Sequence, residues 1–256
     1  DRYVAGLSAL VRRVQAAGSR CFLQLGHLGG EISARFTGQQ AVAPSAVPST
    51  LAREMPRPLD HAGIAETIAQ FAAAARRARA TGVTTSLDMA LPARTSPAGL
   101  ADWRSILQRT LPHVDVFLPS LEEILVMLRA AQYDALMAAT GGDVLAAATP
   151  ELLHDVSGEL LDMGAKIVVI KLGHRGLYLR TGGRAALAKA GRAAPSDLHA
   201  WAHRELWAPC FCVNVVGTTG AGDCTIAGFL AALLRDLSPE DALNAAQYGF
   251  AFLMRS

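Results

Sequence analysis

Gly217-Thr218-Thr219-Gly220-Ala221-Gly222-Asp223, running without a break into Cys224-Thr225-Ile226-Ala227-Gly228-Phe229-Leu230-Ala231-Ala232-Leu233-Leu234, is the stretch on which the reading of this chain turns. Glycines at 217, 220 and 222 let the backbone take positive φ, and the alanine and leucine run after them predicts a buried helix. The loop therefore delivers its N–H groups to a helix N-terminus, where free donors and partial positive charge favour anions and above all phosphate. Gly217 and Gly222 have the spacing of a P-loop, but Asp223 stands where a P-loop has lysine. A carboxylate there would repel a resting phosphate. It suits a base that takes a proton from an incoming hydroxyl, which points to phosphoryl transfer to an alcohol. The alternative is a glycine-rich turn that caps a core helix, with Asp223 favourable to the helix dipole.

The rest of the composition narrows the partners. At 256 residues the chain is long enough for one large α/β domain or two small ones. A net charge of +2, with 18% charged residues and no basic block, points away from nucleic acid and anionic membranes. The longest apolar runs are about ten residues, half of what a bilayer-spanning helix needs. Residues 1–20 place Arg2, Arg12 and Arg13 among the apolar positions, unlike a signal-peptide core. Cys21, Cys210, Cys212 and Cys224 are few and scattered, as reduced thiols of a cytoplasmic protein would be.

Val4, Leu7, Leu10, Val11 and Val14 predict a helix stopped at Gly18, and Cys21-Phe22-Leu23-Gln24-Leu25 reads as a short buried strand. An irregular, proline-rich stretch follows, then a helix from about Ile64 to Ala80. From Val83 the chain alternates strands and helices. The predicted strands are residues 83–88, 114–118, 166–170 and 210–215, with 177–180 as a returning hairpin arm and 183–207 irregular. Helices are expected after Trp103, over 124–128, 150–163 and 239–254. Ser120 is a good N-cap with Glu123 three residues on, as in a capping box. Glu123 equally suits a residue that holds magnesium through water at the carboxyl end of a parallel strand. Such alternation implies a largely parallel sheet covered on both faces.

Residues 1–82 resemble the old-yellow-enzyme family of flavin-dependent TIM-barrel reductases. Phe22-Leu23-Gln24-Leu25 with His27 and Gly29, Ala43-Pro44-Ser45-Ala46, Pro56-Arg57 with Leu59, and the helix from Ile68 to Ala78 carry the likeness. The resemblance implies a flavin contact at Gln24. Gly30 departs from the family's arginine, and of the eight strands of such a barrel about two are present. An FMN-dependent ene-reductase activity is the alternative this segment raises, and polar residues at a strand end are the plainer reading of Gln24 and His27.

From residue 83 to the end the chain resembles the ribokinase or PfkB family of carbohydrate kinases. Ser86-Leu87-Asp88, the run from Asp115 to Glu123, the run from Val168 to Gly176, and Gly217 to Asp223 with Gly228 match in order. The resemblance implies Asp223 as catalytic base and Gly220, Ala221 and Gly222 as the anion hole. It implies nucleotide contacts at Ser120, Lys171, Leu172, Gly173, Arg175 and Gly176, a magnesium-linked carboxylate at Glu123, and ATP and Mg2+ as cofactors. Ser120 replaces the family's asparagine and Gly217 its aspartate. The family's sugar-binding front half and lid give way here to the flavoenzyme-like segment, which leaves a non-catalytic, nucleotide-binding hybrid open as well.

The fold expected is therefore a three-layer α/β sandwich with a mostly parallel, ribokinase-like sheet and an atypical front, in which 19–25 and 83–88 are adjacent parallel strands. The substrate class implied is a small sugar or related alcohol, in a cytoplasmic protein that neither binds nucleic acid nor enters a membrane, and a homodimer is admitted.

Overall fold

A computed structural model describes residues 4–92, 94–95, 99–212 and 219–253, the last four by their backbone alone. The chain divides into two compact units, Asp1–Ile68 and Ala69–Ser256.

The first unit holds helix α1 (Val4–Ala16), the single turn α2 (Ala34–Thr37), and two short parallel strands, β1 (Val42–Ala43) and β2 (Arg57–Pro58). Gly18, at φ 79°, ends the turn after α1 as its position predicts. Ser33 caps α2, and the Glu54 carboxylate accepts from both the Ser33 hydroxyl and the Ala34 N–H at 2.5 and 2.8 Å. These bonds hold Glu54 below the usual carboxylate range. The strand expected at Cys21–Leu25 is not there. Those residues are irregular, and Leu23 and Leu25 are 63% and 59% exposed. An apolar run becomes a strand only where a partner backbone takes its N–H and C=O groups. The pairing of 19–25 beside 83–88 fails with it.

Helix α3 (His61–Ala80) carries the division between the units and ends at Thr81 and Gly82. The second unit then runs through β3 (Ser86–Leu87), α4 (Trp103–Thr110), β4 (Val116–Phe117), α5 (Leu121–Leu128), α6 (Ala130–Ala139), α7 (Pro150–Asp162), β5 (Ile167–Lys171), β6 (Leu177–Thr181), α8 (Arg184–Leu187), α9 (Leu198–Trp201), β7 (Glu205–Ala208), α10 (Ala221–Leu234) and α11 (Pro239–Leu253). The five strands lie in sequence order in one sheet, parallel from β3 through β5 and antiparallel from β5 through β7. Among the described residues β3 forms one edge and pairs with β4 alone.

Strand alternation sorts the side chains into two cores. Phe117, Val168, Ile170 and Tyr178 point to one face and pack with Leu107, Leu121, Ile124, Leu125, Leu153 and Leu160 of α4, α5 and α7. Val116, Leu118, Ile167, Val169, Leu177 and Leu179 point to the other and pack with Trp201, Phe229, Leu233 and Leu243 of α9, α10 and α11. A helix layer on each face of a sheet is the three-layer arrangement. The β-branched run Ile167-Val168-Val169-Ile170 has no polar face because both of its faces are covered. One charged pair is sealed inside. Lys166 Nζ lies 2.7 Å from Asp115 Oδ1, and Asp115 Oδ2 accepts from the N–H and hydroxyl of Thr85, tying the start of β3 to β4.

The last strand differs from the sequence reading. β7 is Glu205–Ala208, inside the stretch expected to be irregular, whereas Cys210–Cys212 is not strand; the remainder of the strand expected to 215 lies outside the described residues. Gly176 explains the shift. A Cβ on it would come 2.0 Å from Ala208 O and 2.7 Å from Cys210 N, so the chain leaves the sheet where it passes over the glycine.

Candidate active site

The carboxyl ends of β4 and β5 supply the first part of the site. Beyond β4 the chain continues as Pro119 and Ser120, and the Lys171 N–H donates to Pro119 O at 2.8 Å, setting Ser120 and Lys171 side by side. Ser120 opens α5. Its Oγ accepts from the Glu123 N–H at 3.2 Å and the Glu123 carboxylate accepts from the Ser120 N–H at 2.7 Å, a complete capping box. Glu123 is 8% exposed and its carboxyl is pushed up by burial, a push opposed by the Ser120 N–H and Lys171 and supported by Asp88.

Lys171 carries the charge that faces it. Its Nζ lies 2.6 Å from Asp88 Oδ1, just past the end of β3. It is also 3.8 Å from where a Cβ on Gly222 would sit, so the ammonium stands at the first turn of α10. That helix begins at Gly220, in the left-handed region at φ 79° and ψ 0° with no side-chain cap. The Cys224 N–H reaches Gly220 O at 3.0 Å. The N–H groups of Ala221, Gly222 and Asp223 precede that first intrahelical bond and point out of the helix end. Asp223 is exposed, in the third helical position. Gly217 and Thr218 lie outside the described residues.

The turn from Leu172 to Gly176 closes the floor. The Leu172 N–H donates to Gly176 O at 2.9 Å, and Gly173 and Gly176 take φ 52° and 94°. Leu172 is fully buried in the core under α5. Arg175 is committed elsewhere. Its guanidinium donates to the carbonyls of Leu145 and Ala148 at 2.8 and 2.9 Å and lies over the Trp207 ring at 5.0 Å, which holds the loop after α6 in place.

A cavity of about 220 Å3 joins these parts. Ser120, Glu123, Lys171, Gly173, Gly176 and Gly222 line it, as do Glu122, Leu145, Leu177, Cys210, Thr225 and Gln247. Leu172, Arg175, Gly220, Ala221 and Asp223 are not among its lining residues. Asp88 is part of the site through Lys171, and its signal was in the sequence as the exit of a predicted strand. Gln247 had none. It is a lone glutamine on α11, buried because α10 and α11 cross at Gly228 and Gly249, where a Cβ would lie 2.5 Å from Ala245 O and 2.4 Å from Cys224 O.

The donor set suits a hard cation. Mg2+ commonly takes one or two carboxylates, with water and substrate phosphates completing its shell. Glu123 offers a carboxylate whose burial disfavours its charge unless a cation is near, with Glu122 on the same wall. In the first unit, Gln24 and His27 are both exposed on irregular chain, and His27 Nδ1 accepts from the Gly29 N–H at 3.1 Å. No helix among the described residues is long and apolar enough to cross a membrane.

Residues 61–251 match the model of the pfkB family of carbohydrate kinases, and residues 1–85 match that of the NADH:flavin oxidoreductase / NADH oxidase family. Over 82 residues the chain is 45% identical to a metal reductase of Desulforamulus reducens, covering 32% of this chain and 12% of that protein. Over 80 residues it is 39% identical to an NADH oxidase of Thermoanaerobacter brockii, covering 31% and 12%. Among solved structures, the apo form of a putative ribokinase II from E. coli is similar in fold, with a TM-score of 0.51 at 19% identity, covering 74% of this chain and 47% of that one. A fructokinase with bound ATP from Xylella fastidiosa gives a TM-score of 0.46 at 20% identity, covering 74% and 51%. The chain thus spans about half the length of these solved kinases and 12% of the curated relatives.

Proposed function

The chain belongs to the pfkB family of carbohydrate kinases, and from that premise we propose that its second unit binds magnesium-ATP and transfers the γ-phosphoryl group to a hydroxyl of a small sugar or related alcohol. The observation that carries the reading is the cavity in which the uncapped start of α10, the Lys171 ammonium and the Glu123 carboxylate meet.

Each part has a task. The N–H groups of Gly220, Ala221 and Gly222 receive the charge that develops on the moving phosphoryl oxygens, pre-aimed and without reorganisation. Lys171 neutralises phosphate, and Asp88 holds the ammonium in place until phosphate shares it. Glu123 would hold magnesium through water, and the ion would supply positive charge that offsets the phosphate charge repelling the attacking oxygen. Asp223, exposed on the first turn of α10, takes the proton of the acceptor hydroxyl. Ser120 holds Glu123 in its rotamer. Leu172, Gly173 and Gly176 shape the turn under the nucleotide. Arg175 serves that turn indirectly, by fixing the loop at Leu145 against it. A cytoplasmic working place goes with this activity, and we put the join between the two parent segments near residue 82, inside the stretch 61–85 where the two family matches overlap.

The test is calorimetry of magnesium-ATP on the parent and on Asp223→Asn, followed by ADP release with a panel of sugars. Binding by both and turnover by the parent alone supports the reading. Absence of ATP binding by the parent overturns it, and binding without turnover on any sugar leaves a nucleotide-binding hybrid in its place.

A further inference from the structure

Cys210-Phe211-Cys212 is a motif to which the kinase reading gives no task. Both thiols are free, Cys210 half-buried and Cys212 exposed. Cys210 belongs to the wall of the cavity. Its backbone is pressed against the turn that floors the cavity: a Cβ on Gly176 would come 2.7 Å from Cys210 N and 2.8 Å from Pro209 C. Between the two thiols, the ring of Phe211 lies 5.0 Å from that of Tyr248 on α11. The segment is thus held against a glycine on one side and an aromatic ring on the other, each by packing.

Two steps of chain keep the Cα atoms of the pair within about 7 Å of each other, and a disulfide takes about 5.5–6 Å. One bond can therefore join the sulfurs at the cost of a local bend. Burial and the neighbouring Cys212 push the Cys210 thiol up, a push opposed by the Phe211 N–H. Cys212 is the exposed member and meets a reagent first. A ring closed over three residues gains little from loop entropy and carries strain. Bridges of that kind are easily reduced and are the labile, regulatory ones.

We propose that Cys210 and Cys212 form a redox-sensitive dithiol, oxidised by a low-molecular-weight disulfide to a bridge that deforms the cavity wall. The Cys212 thiolate attacks one sulfur of the small disulfide; that S–S bond breaks, a mixed disulfide forms and one small thiol leaves. The Cys210 thiolate then attacks the Cys212 sulfur and expels the second small thiol. Two cysteine thiols are oxidised, the small disulfide is reduced to two thiols, and the two cysteine protons pass through water to the leaving sulfurs. Closure draws Cys210 toward Cys212 and so off Gly176, which loosens the turn beneath the cavity. The consequence for ATP rests on the nucleotide reading above; the bridge and the loosened turn do not.

The test treats the full chain and its Cys212→Ser variant with glutathione disulfide, then follows both by peptide mass spectrometry, amide hydrogen exchange and calorimetry of magnesium-ATP. Expected in the parent are a peptide holding Cys210 and Cys212 that is two hydrogens lighter and resists alkylation, faster exchange over 172–176, and ATP binding weakened by about 10-fold. All three should reverse with dithiothreitol and be absent from Cys212→Ser. A mixed disulfide that never closes to the bridge overturns the inference. So does a bridge that leaves exchange over 172–176 unchanged, or ATP binding unchanged in a parent that binds ATP, and so does a weakening that persists in Cys212→Ser. Failure of the reduced parent to bind ATP overturns the kinase reading alone, and the bridge together with the exchange over 172–176 then decides the inference.

Discussion

Two helices begin in the same cavity and begin differently. α5 is closed by its own sequence, with Ser120 and Glu123 exchanging hydrogen bonds so that two of the donors at that end are used. α10 opens on a left-handed glycine that offers no side-chain cap. A capped start is stable by itself and has little left for a ligand; an uncapped one beside a lysine is finished only when an anion arrives. On the function proposed above, the difference gives structural work chiefly to one helix start and chemical work to the other, although both lie at one end of the same sheet.

Four substitutions separate the two. Asp223→Asn should reduce sugar-dependent ADP release by about 10²- to 10⁴-fold, the usual worth of a general base, with ATP binding nearly unchanged. Lys171→Met should weaken ATP binding by roughly 10- to 100-fold in calorimetry, since a charge-assisted contact is lost at the α10 start. Ser120→Ala should lower stability by about 1 kcal/mol in urea titration and leave Lys171 and its phosphate contact in place. An effect of this variant on ATP binding as large as that of Lys171→Met would break the division of labour.

Glu123→Gln gives the smallest change, and its sign is distinctive. Burial raises the folded-state pKa of Glu123. Its contribution to stability is therefore complete below the ordinary carboxylate range and is lost as pH rises through the raised value. Glutamine can still complete the capping box and has no charge to bury. In magnesium-free melts the variant should match the parent in acid and exceed it by up to about 3 °C near neutrality. It should bind magnesium-ATP more weakly at the same time.

The two ends of the chain were unequally readable. β5, the Ser120–Glu123 box and the glycines at 173 and 176 announce themselves because each depends on neighbours in sequence: a β-branched run, an i to i+3 exchange, a turn that needs positive φ. Cys21–Leu25 has the same apolar character and no ladder, because pairing is settled by partners far along the chain and composition does not encode them. β7 escaped for the opposite reason. Glu205-Leu206-Trp207-Ala208 looks ordinary, and only its register with Leu177–Arg180 and the glycine at 176 makes it a strand. Of the residues that line the cavity, Glu123, Lys171 and Gly222 were named from motifs, whereas the partnership of Lys171 with Asp88 and the burial of Gln247 are products of packing.

Gly228 and Gly249 bring backbone against backbone where α10 and α11 cross, with no side chain between to yield. Such a joint behaves as a ruler. The interval between the α10 start and the amide on α11 is set by two peptide planes in contact, so rotamer changes elsewhere do not alter it. A larger residue at either glycine would lengthen the gauge rather than merely loosen the core, and the distance across the cavity between Gly222 and Gln247 would change accordingly.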